Sequence, residues 1–498
     1  MNRPFVRFAA AFAVLFAFAV RVEAQSQPQK PLVQFTVKSA KDFMTKVGEL
    51  SFTVKKVMEG ENAEPPEITK QLGQAEQTMQ GFDLSKPLGL RIMYKAPPPN
   101  APIDGDILFM IPVTDANKFN QLLTQAIPGF KTENNLSSFQ PPGVPIPIKF
   151  FGRTANNYSY WTVMDSGAVF EDRLPKPADV FGSPTHDITL SLNPGVIPEA
   201  AVKNIFNSLR NMIPAGQGAL DDSQIQQYVD LNSMTIHFDA DTSSNKIIVE
   251  IAQSYRPSSK LAGISKNVAP GPLRSAIGVH ESAIMSAGMR GDAVAKSGMF
   301  SNTISAIKSN PQTTQPIFKE IVGLLETLAA TELEDVGMSV APDGTIFFAA
   351  AVQSAAAFEL KINELTMEKK SVKVGEDKLT KIVAALPGDN GKANIYLGAK
   401  DNVAFVAISF VDGTKTIEEA LKRKPIESHD PLSMVVKLKE CAEALGVSGY
   451  SGSGVIKAES KKDPTGATFE IPVKDMAELA KAGFFKKLEE FGKKFDGS

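Results

Sequence analysis

Apolar residues recur along this chain in two rhythms, and the points where one gives way to the other predict its elements. Residues 32–37 alternate like a strand, and Phe43, Val47, Leu50, Val54 and Met58 then return at the spacing of one helix face. A second helical stretch carries Ile68, Leu72, Ala75 and Met79. Strand-like runs follow at 90–94, around Phe109, at 158–164 and at 188–192. Residues 233–240 and 246–255 read as the arms of a hairpin across a polar turn.

The second half repeats this order. Residues 275–280 read as a strand, and two helical stretches follow, the later one carrying Ile317, Ile321, Leu324 and Leu328. Strands are expected at 336–340, 403–409 and 433–438, and a closing hairpin at 454–460 and 467–473. The overlap is sharpest between segments 105–119 and 344–358. Without a gap they share six identities, Gly105/Gly344, Ile107/Ile346, Phe109/Phe348, Val113/Val352, Ala116/Ala355 and Phe119/Phe358. A His-Asp pair precedes the matching strand in each half, His186-Asp187 and His429-Asp430. These agreements predict an internal duplication.

Helices in clusters and strands at hairpin distance predict an α+β fold. Two related domains are expected, each a largely antiparallel sheet with clustered helices on one face. They should span 32–260 and 274–498, the second ending in an amphipathic helix. A linker at 261–273 separates them, where Pro, Ser, Gly and Lys replace the apolar period.

The N-terminus is of another kind. Arg3 and Arg7 precede an apolar stretch from Phe8 to Val20, and Val22 and Ala24 place compact residues at the two positions that guide cleavage. That stretch is far short of the ~20 residues a membrane span needs. Residues 1–24 are therefore expected to be a cleavable signal peptide and 25–31 a disordered leader. The protein is expected to be exported to the periplasm or beyond, with no transmembrane span after cleavage. Net charge is −2 and no basic stripe appears, which argues against a nucleic-acid partner. Cys441 is the one cysteine, so neither an internal disulfide nor a cysteine zinc site can form.

The candidates for chemistry are few. His186 with Asp187, and His429 with Asp430, could serve as a base or a ligand pair. Neither pair has the i, i+4 spacing that brings two ligands together on a helix. Asp239, Asp241, Ser243 and Glu250 imitate the oxygen spacing of a calcium loop, but Ser244 stands where the sharp turn needs glycine. No metal and no cofactor are expected. The Gly-x-Ser-x-Gly elbow of many exported hydrolases does not occur. Near the C-terminus Asp475 can cap a helix whose Phe484, Leu488, Phe491 and Phe495 share one face. Lysines lie around the other side. That face reads as core docked on its own domain rather than as a membrane or partner handle.

The segments GFDLSKPLG at 81–89 and IPVTD at 111–115 resemble a pattern in exported, internally duplicated bacterial proteins of the planctomycete type, whose function is unknown. The resemblance covers about 35 residues of one half and implies export and duplication. It implies no activity and no functional residue.

With 31 Phe and 16 Met beside so few chemical motifs, the chain is expected to be a non-enzymatic binding protein. Its ligand would be apolar, or its partner a cell-envelope protein. The alternative is an envelope hydrolase using His186 or His429. The export reading has a direct test. Edman sequencing of secreted material should begin at Gln25, and a start at Met1 or well past Lys30 would refute it.

Overall fold

The computed structural model describes residues 30–66, 79–95, 104–140, 149–163, 174–204, 222–259, 262, 271–279, 283–290, 316–329, 333–385, 392–460 and 466–489. The signal region, most of the leader, most of the helical stretch around Leu72, and His280 lie outside these residues. The chain divides into two compact units. The first holds Met1–Phe52, Glu64–Thr242 and Gln253–Arg256; the second holds Thr53–Ala63, Ser243–Ala252 and Pro257–Ser498. The fold is α+β with a large antiparallel sheet.

In the first unit the strands are β1 (Val33–Val37), β2 (Leu88–Lys95), β3 (Asp104–Pro112), β4 (Lys131–Glu133), β5 (Leu136–Phe139), β6 (Phe150–Ala155), β7 (Tyr158–Val163), β8 (Ile188–Leu192) and β9 (Leu231–Asp241). They lie side by side in the order 9-8-1-2-3-7-6-5-4, each pair antiparallel. The helices are residues 40–52 of α1 (Ala40–Glu59), α2 (Ala116–Ala126), α3 (Pro177–Phe181) and α4 (Asp222–Asp230). Two hairpins turn on asparagine pairs with positive φ, Asn134-Asn135 and Asn156-Asn157. Asparagine tolerates the left-handed region that a tight, strand-matched turn demands. Asp115 caps α2, its carboxylate accepting from the amides of Asn117 at 2.9 Å and Lys118 at 3.1 Å.

The strand β3 is apolar on both faces. Leu108 and Met110 pack with Tyr158 and Tyr160 under Val180 and Phe181 of α3. Phe109 and Ile111 point the other way, toward Trp161 and toward Phe119 and Leu123 of α2.

The second unit takes residues 246–252 of β10 (Lys246–Tyr255), then β11 (Gly271–Leu273), β12 (Met285–Arg290), β13 (Leu333–Val340), β14 (Ile346–Val352), β15 (Lys369–Val374), β16 (Asp377–Ala385), β17 (Lys392–Lys400), β18 (Val403–Ser409), β19 (Ile426–His429), β20 (Leu432–Lys437), β21 (Val455–Ser460) and β22 (Ala467–Pro472). Its order is 21-20-12-13-14-18-17-16-15. Outside β21 lies β22, and then residues 246–251 of β10. A separate pair joins β11 to β19. The helices are α5 (Pro316–Ala329), α6 (Ala356–Glu364), α7 (Thr414–Leu421), α8 (Leu438–Ala444) and α9 (Val473–Lys481).

Two expectations need correction. Helices were expected on one face of each sheet, yet they cover both. Leu324 and Leu328 of α5 and Phe358 of α6 pack on Ala350, Ala404 and Val406, whereas Ile417 and Leu421 of α7 pack on Phe347, Ala349 and Phe405. The cause is in the strands: IFFAAAV in β14 and VAFVAIS in β18 are apolar at both parities, so each face needs its own cover. Residues 275–279, the described part of the strand expected at 275–280, are also not a strand. Arg274–Gly278 coils into a 3-10 turn, and the next strand of the large sheet is β12, between β13 and β20. The buried carboxylate of Asp335 accepts from the amides of Arg274 at 2.9 Å and Ser275 at 2.7 Å, which bends the chain there.

Close approach of that turn depends on glycine. A Cβ at Gly337 would lie 2.5 Å from the Ser275 carbonyl oxygen, and one at Gly89 would lie 2.2 Å from that of Phe35. Gly337→Ala and Gly89→Ala should each cost about 1–3 kcal/mol, because the rigid backbone they meet cannot give. In contrast, Gly323→Ala in α5 meets no atom nearer than 3.8 Å. It should stabilise by up to ~1 kcal/mol through helix propensity. Chemical denaturation of the three full-length variants checks both signs.

Candidate functional site

The first His-Asp pair sits where α1 meets the start of β8. Asp187 is buried, and its carboxylate accepts from Lys46 Nζ of α1 at 2.6 Å and from the amide of Ala240 at 2.9 Å. Its own amide donates to Asp239 Oδ1 at 2.8 Å, and Asp239 Oδ2 lies 2.7 Å from His186 Nδ1. Behind them His186 stacks on His237 with ring centroids 3.9 Å apart, and His237 Nδ1 is 2.9 Å from Thr189 Oγ1. The alternation of β9 puts His237 and Asp239 on one face, which is why they converge on His186. A buried carboxylate needs this kind of full pairing. The carboxylates here join helix, strand end and neighbouring strand.

The second pair is built differently. His429 Nδ1 is 2.6 Å from the carbonyl oxygen of Asp430, and the ring lies against β12, where only glycine fits: a Cβ at Gly288 would be 2.6 Å from His429 Nε2. Asp430 thus holds His429 through its backbone.

The residues of the calcium-like spacing are also dispersed by the fold. Asp239 is engaged by His186 and the Asp187 amide, Asp241 ends β9, Ser243 is in the following turn, and Glu250 lies on β10 opposite Thr468. Among the described residues no group of three or more His, Cys, Asp or Glu is placed to hold a metal.

At the C-terminal end Asp475 does not cap its helix. Pro472 is at the cap position, and Asp475 Oδ1 instead accepts from the Tyr450 hydroxyl at 2.7 Å and the Gly454 amide at 2.9 Å. Burial first, and then this bond, push the Tyr450 phenol well above its usual range. Beyond the break at Gly483, Phe484 is 8 % exposed and packs with Leu438, Ala442, Tyr450 and Leu479. Leu488, expected on the same docked face, is 46 % exposed, since the cluster ends one turn earlier. Phe491 and Phe495 lie outside the described residues. Cys441 borders the cluster, and burial pushes its thiol up to about 11.

One feature escaped the sequence. On β13 the odd positions Asp335, Gly337 and Ser339 are buried, while the even positions Val336, Met338 and Val340 are not. Register carries that open face across the sheet: Met434 on β20 pairs with Ala287 on β12, Ala287 with Met338, and Met338 with Phe348 on β14. The next row is Val436, Met285, Val340 and Ile346. The helices α5 and α6 cover one side of this surface and α8 and α9 the other. Met338, on a central strand, remains 39 % exposed. The signal was present in LEDVGMSV, where small or acidic residues alternate with apolar ones, but only register shows that three further strands extend the row.

No protein-family model, curated protein or solved structure matches this chain.

The split at the C-terminus is measurable. Phe484→Ala should destabilise the full-length protein by about 3–5 kcal/mol, whereas Leu488→Ser should change stability by less than ~0.5 kcal/mol. Equal effects in urea denaturation would contradict this placement.

Proposed function

We propose that this chain is an exported, non-enzymatic binding protein built from two copies of one α+β unit. It takes an apolar ligand on the methionine-rich sheet face of the second copy. One observation carries the ligand: the row Met434–Ala287–Met338–Phe348, with a central-strand methionine more than a third exposed. Central strands are normally covered, and flexible thioether side chains adapt to apolar guests of varied shape.

The duplication, with copies at 32–260 and 274–498 and a linker at 261–273, is supported by strand order. The sequence 9-8-1-2-3-7-6-5-4 becomes 21-20-12-13-14-18-17-16-15 when each strand is replaced by its counterpart. Detail supports it as well. The amide of Val113 donates to the Asn157 carbonyl at 2.8 Å, and that of Val352 to the Asn402 carbonyl at 3.0 Å. Phe119 and Phe358 are both fully buried, and Asn156-Asn157 and Asp401-Asn402 make the same positive-φ turn. Export to the periplasm or beyond rests on the N-terminal charge and apolar pattern.

A second reading, an envelope hydrolase, draws on the 2.7 Å contact between His186 and Asp239. Among the described residues His186 meets no hydroxyl or thiol and His429 meets no side-chain acid. The binding reading is therefore the better supported.

Titration with the apolar fluorophore N-phenyl-1-naphthylamine should saturate. Met338→Lys should abolish the signal while leaving the melting temperature unchanged, because the residue is exposed. Mass spectrometry of an organic extract identifies what co-purifies. Absence of saturable binding, or ester turnover lost on His186→Ala, would overturn the binding reading.

A further inference from the structure

The hairpin of β15 and β16 sets lysines directly opposite one another. Among the described residues β15 pairs with β16 alone, so it is the outer strand of the second unit's sheet. Register sets Lys373 directly opposite Lys378, and Lys370 directly opposite Lys381. Like charges across a strand pair repel. Two of the four are partly answered: Lys370 lies 3.5 Å from Glu368, and Lys381 sits 5.1 Å over the ring of Tyr396. Lys373 and Lys378 are exposed and make no ion pair among the described residues. The nearby Asp377 is held by Lys400 at 2.9 Å.

The two faces of β15 differ. Val372 and Val374 pack toward Ile417 and Leu421 of α7. Lys369, Ser371 and Lys373 alternate on the other side, and Lys369 Nζ is already spent on the last carbonyls of α6, Ile362 at 3.1 Å and Leu365 at 3.2 Å. Lysine on an edge strand usually serves to repel other strands. That role requires charge on β15 only. Lys378 lies on β16, whose register with β17 begins only at Thr380, and its charge adds repulsion within the hairpin.

We propose that β15 takes up an extended acidic segment of a partner protein, which adds to the sheet as a further antiparallel or parallel strand. The unpaired edge supplies backbone hydrogen bonds, and alternate carboxylates of the segment meet the field of Lys373 and Lys378. This surface is separate from the apolar face, and the inference does not depend on that ligand.

The probe is a fluorescein-labelled peptide of alternating Val and Glu, titrated into the full-length protein and followed by anisotropy. Two controls accompany it, one with Gln for Glu and one with Pro at every third position. The acidic peptide should bind, and added salt should weaken it. The Gln peptide should bind far more weakly, and the Pro-interrupted one, unable to pair with an edge, should not bind. Lys373→Glu with Lys378→Glu should remove binding, while the melting temperature of the single variant Lys378→Glu rises as the repulsion is relieved. No binding of the acidic peptide would overturn the proposal and leave the lysines as edge protection. Equal binding of the Pro-interrupted peptide would also overturn it, by making the hairpin a general polyanion surface.

Discussion

Strands that are apolar on both sides need cover on both sides, and most of this architecture follows from that need. In β14, Phe347 and Ala349 face one way while Ala350 and Val352 face the other, and all four are buried. A long antiparallel sheet with only one protected face would leave one of these sets in water. At ~25 cal/mol per Å² of apolar surface, that exposure would forfeit the burial energy of a whole face. Helices therefore flank both faces, and their positions dictate where tight contacts fall. Gly337 is one such place, because the 3-10 turn at Arg274–Gly278 seals the face opposite α5 and α6 only if its backbone comes within touching distance of β13.

Polar residues inside this scaffold work chiefly as fasteners. Asp187 and Asp239 hold α1, β8 and β9 together, Asp335 holds the 3-10 turn, and Asp475 holds the loop carrying Tyr450. In each case a carboxylate receives backbone amides whose burial would otherwise leave them unsatisfied. A carboxylate used this way holds its place by the same bonds that limit its use in chemistry. On the binding function proposed above, the open Met338 face, where no polar side chain is engaged among the described residues, is the more natural place for a ligand. The two histidine pairs point the same way: similar in sequence, they are held by a side-chain acid in one case and a backbone carbonyl in the other.

Local pattern was enough to foresee a good deal. The alternation around Phe109 and Phe348, the closing hairpin arms and the periodic face of α1 depend on neighbours a few residues away, and they produce elements near where the pattern put them. The α+β class follows from the same local signals. Residues 275–279 depart from the expected strand because a short apolar run fits a strand or a turn equally well, and Asp335, sixty positions on, chooses between them. The docked face of the C-terminal helix was legible as far as Phe484. Where it stopped depended on the extent of a cluster built from α8 and the Tyr450 loop.

By itself, then, the sequence indicated many of the elements and their antiparallel bias, because these are written in local spacing, whereas the strands from Lys369 to Lys400 were not read from it. Which residues share a face across four strands is a matter of register, and register is set by pairings between distant segments. Only the tertiary structure could decide that Met338 stands open in mid-sheet beside Phe348, that Lys378 opposes Lys373, and that helices lie on both sides. Those outcomes depend on what packs where, and no stretch of a few residues contains that information.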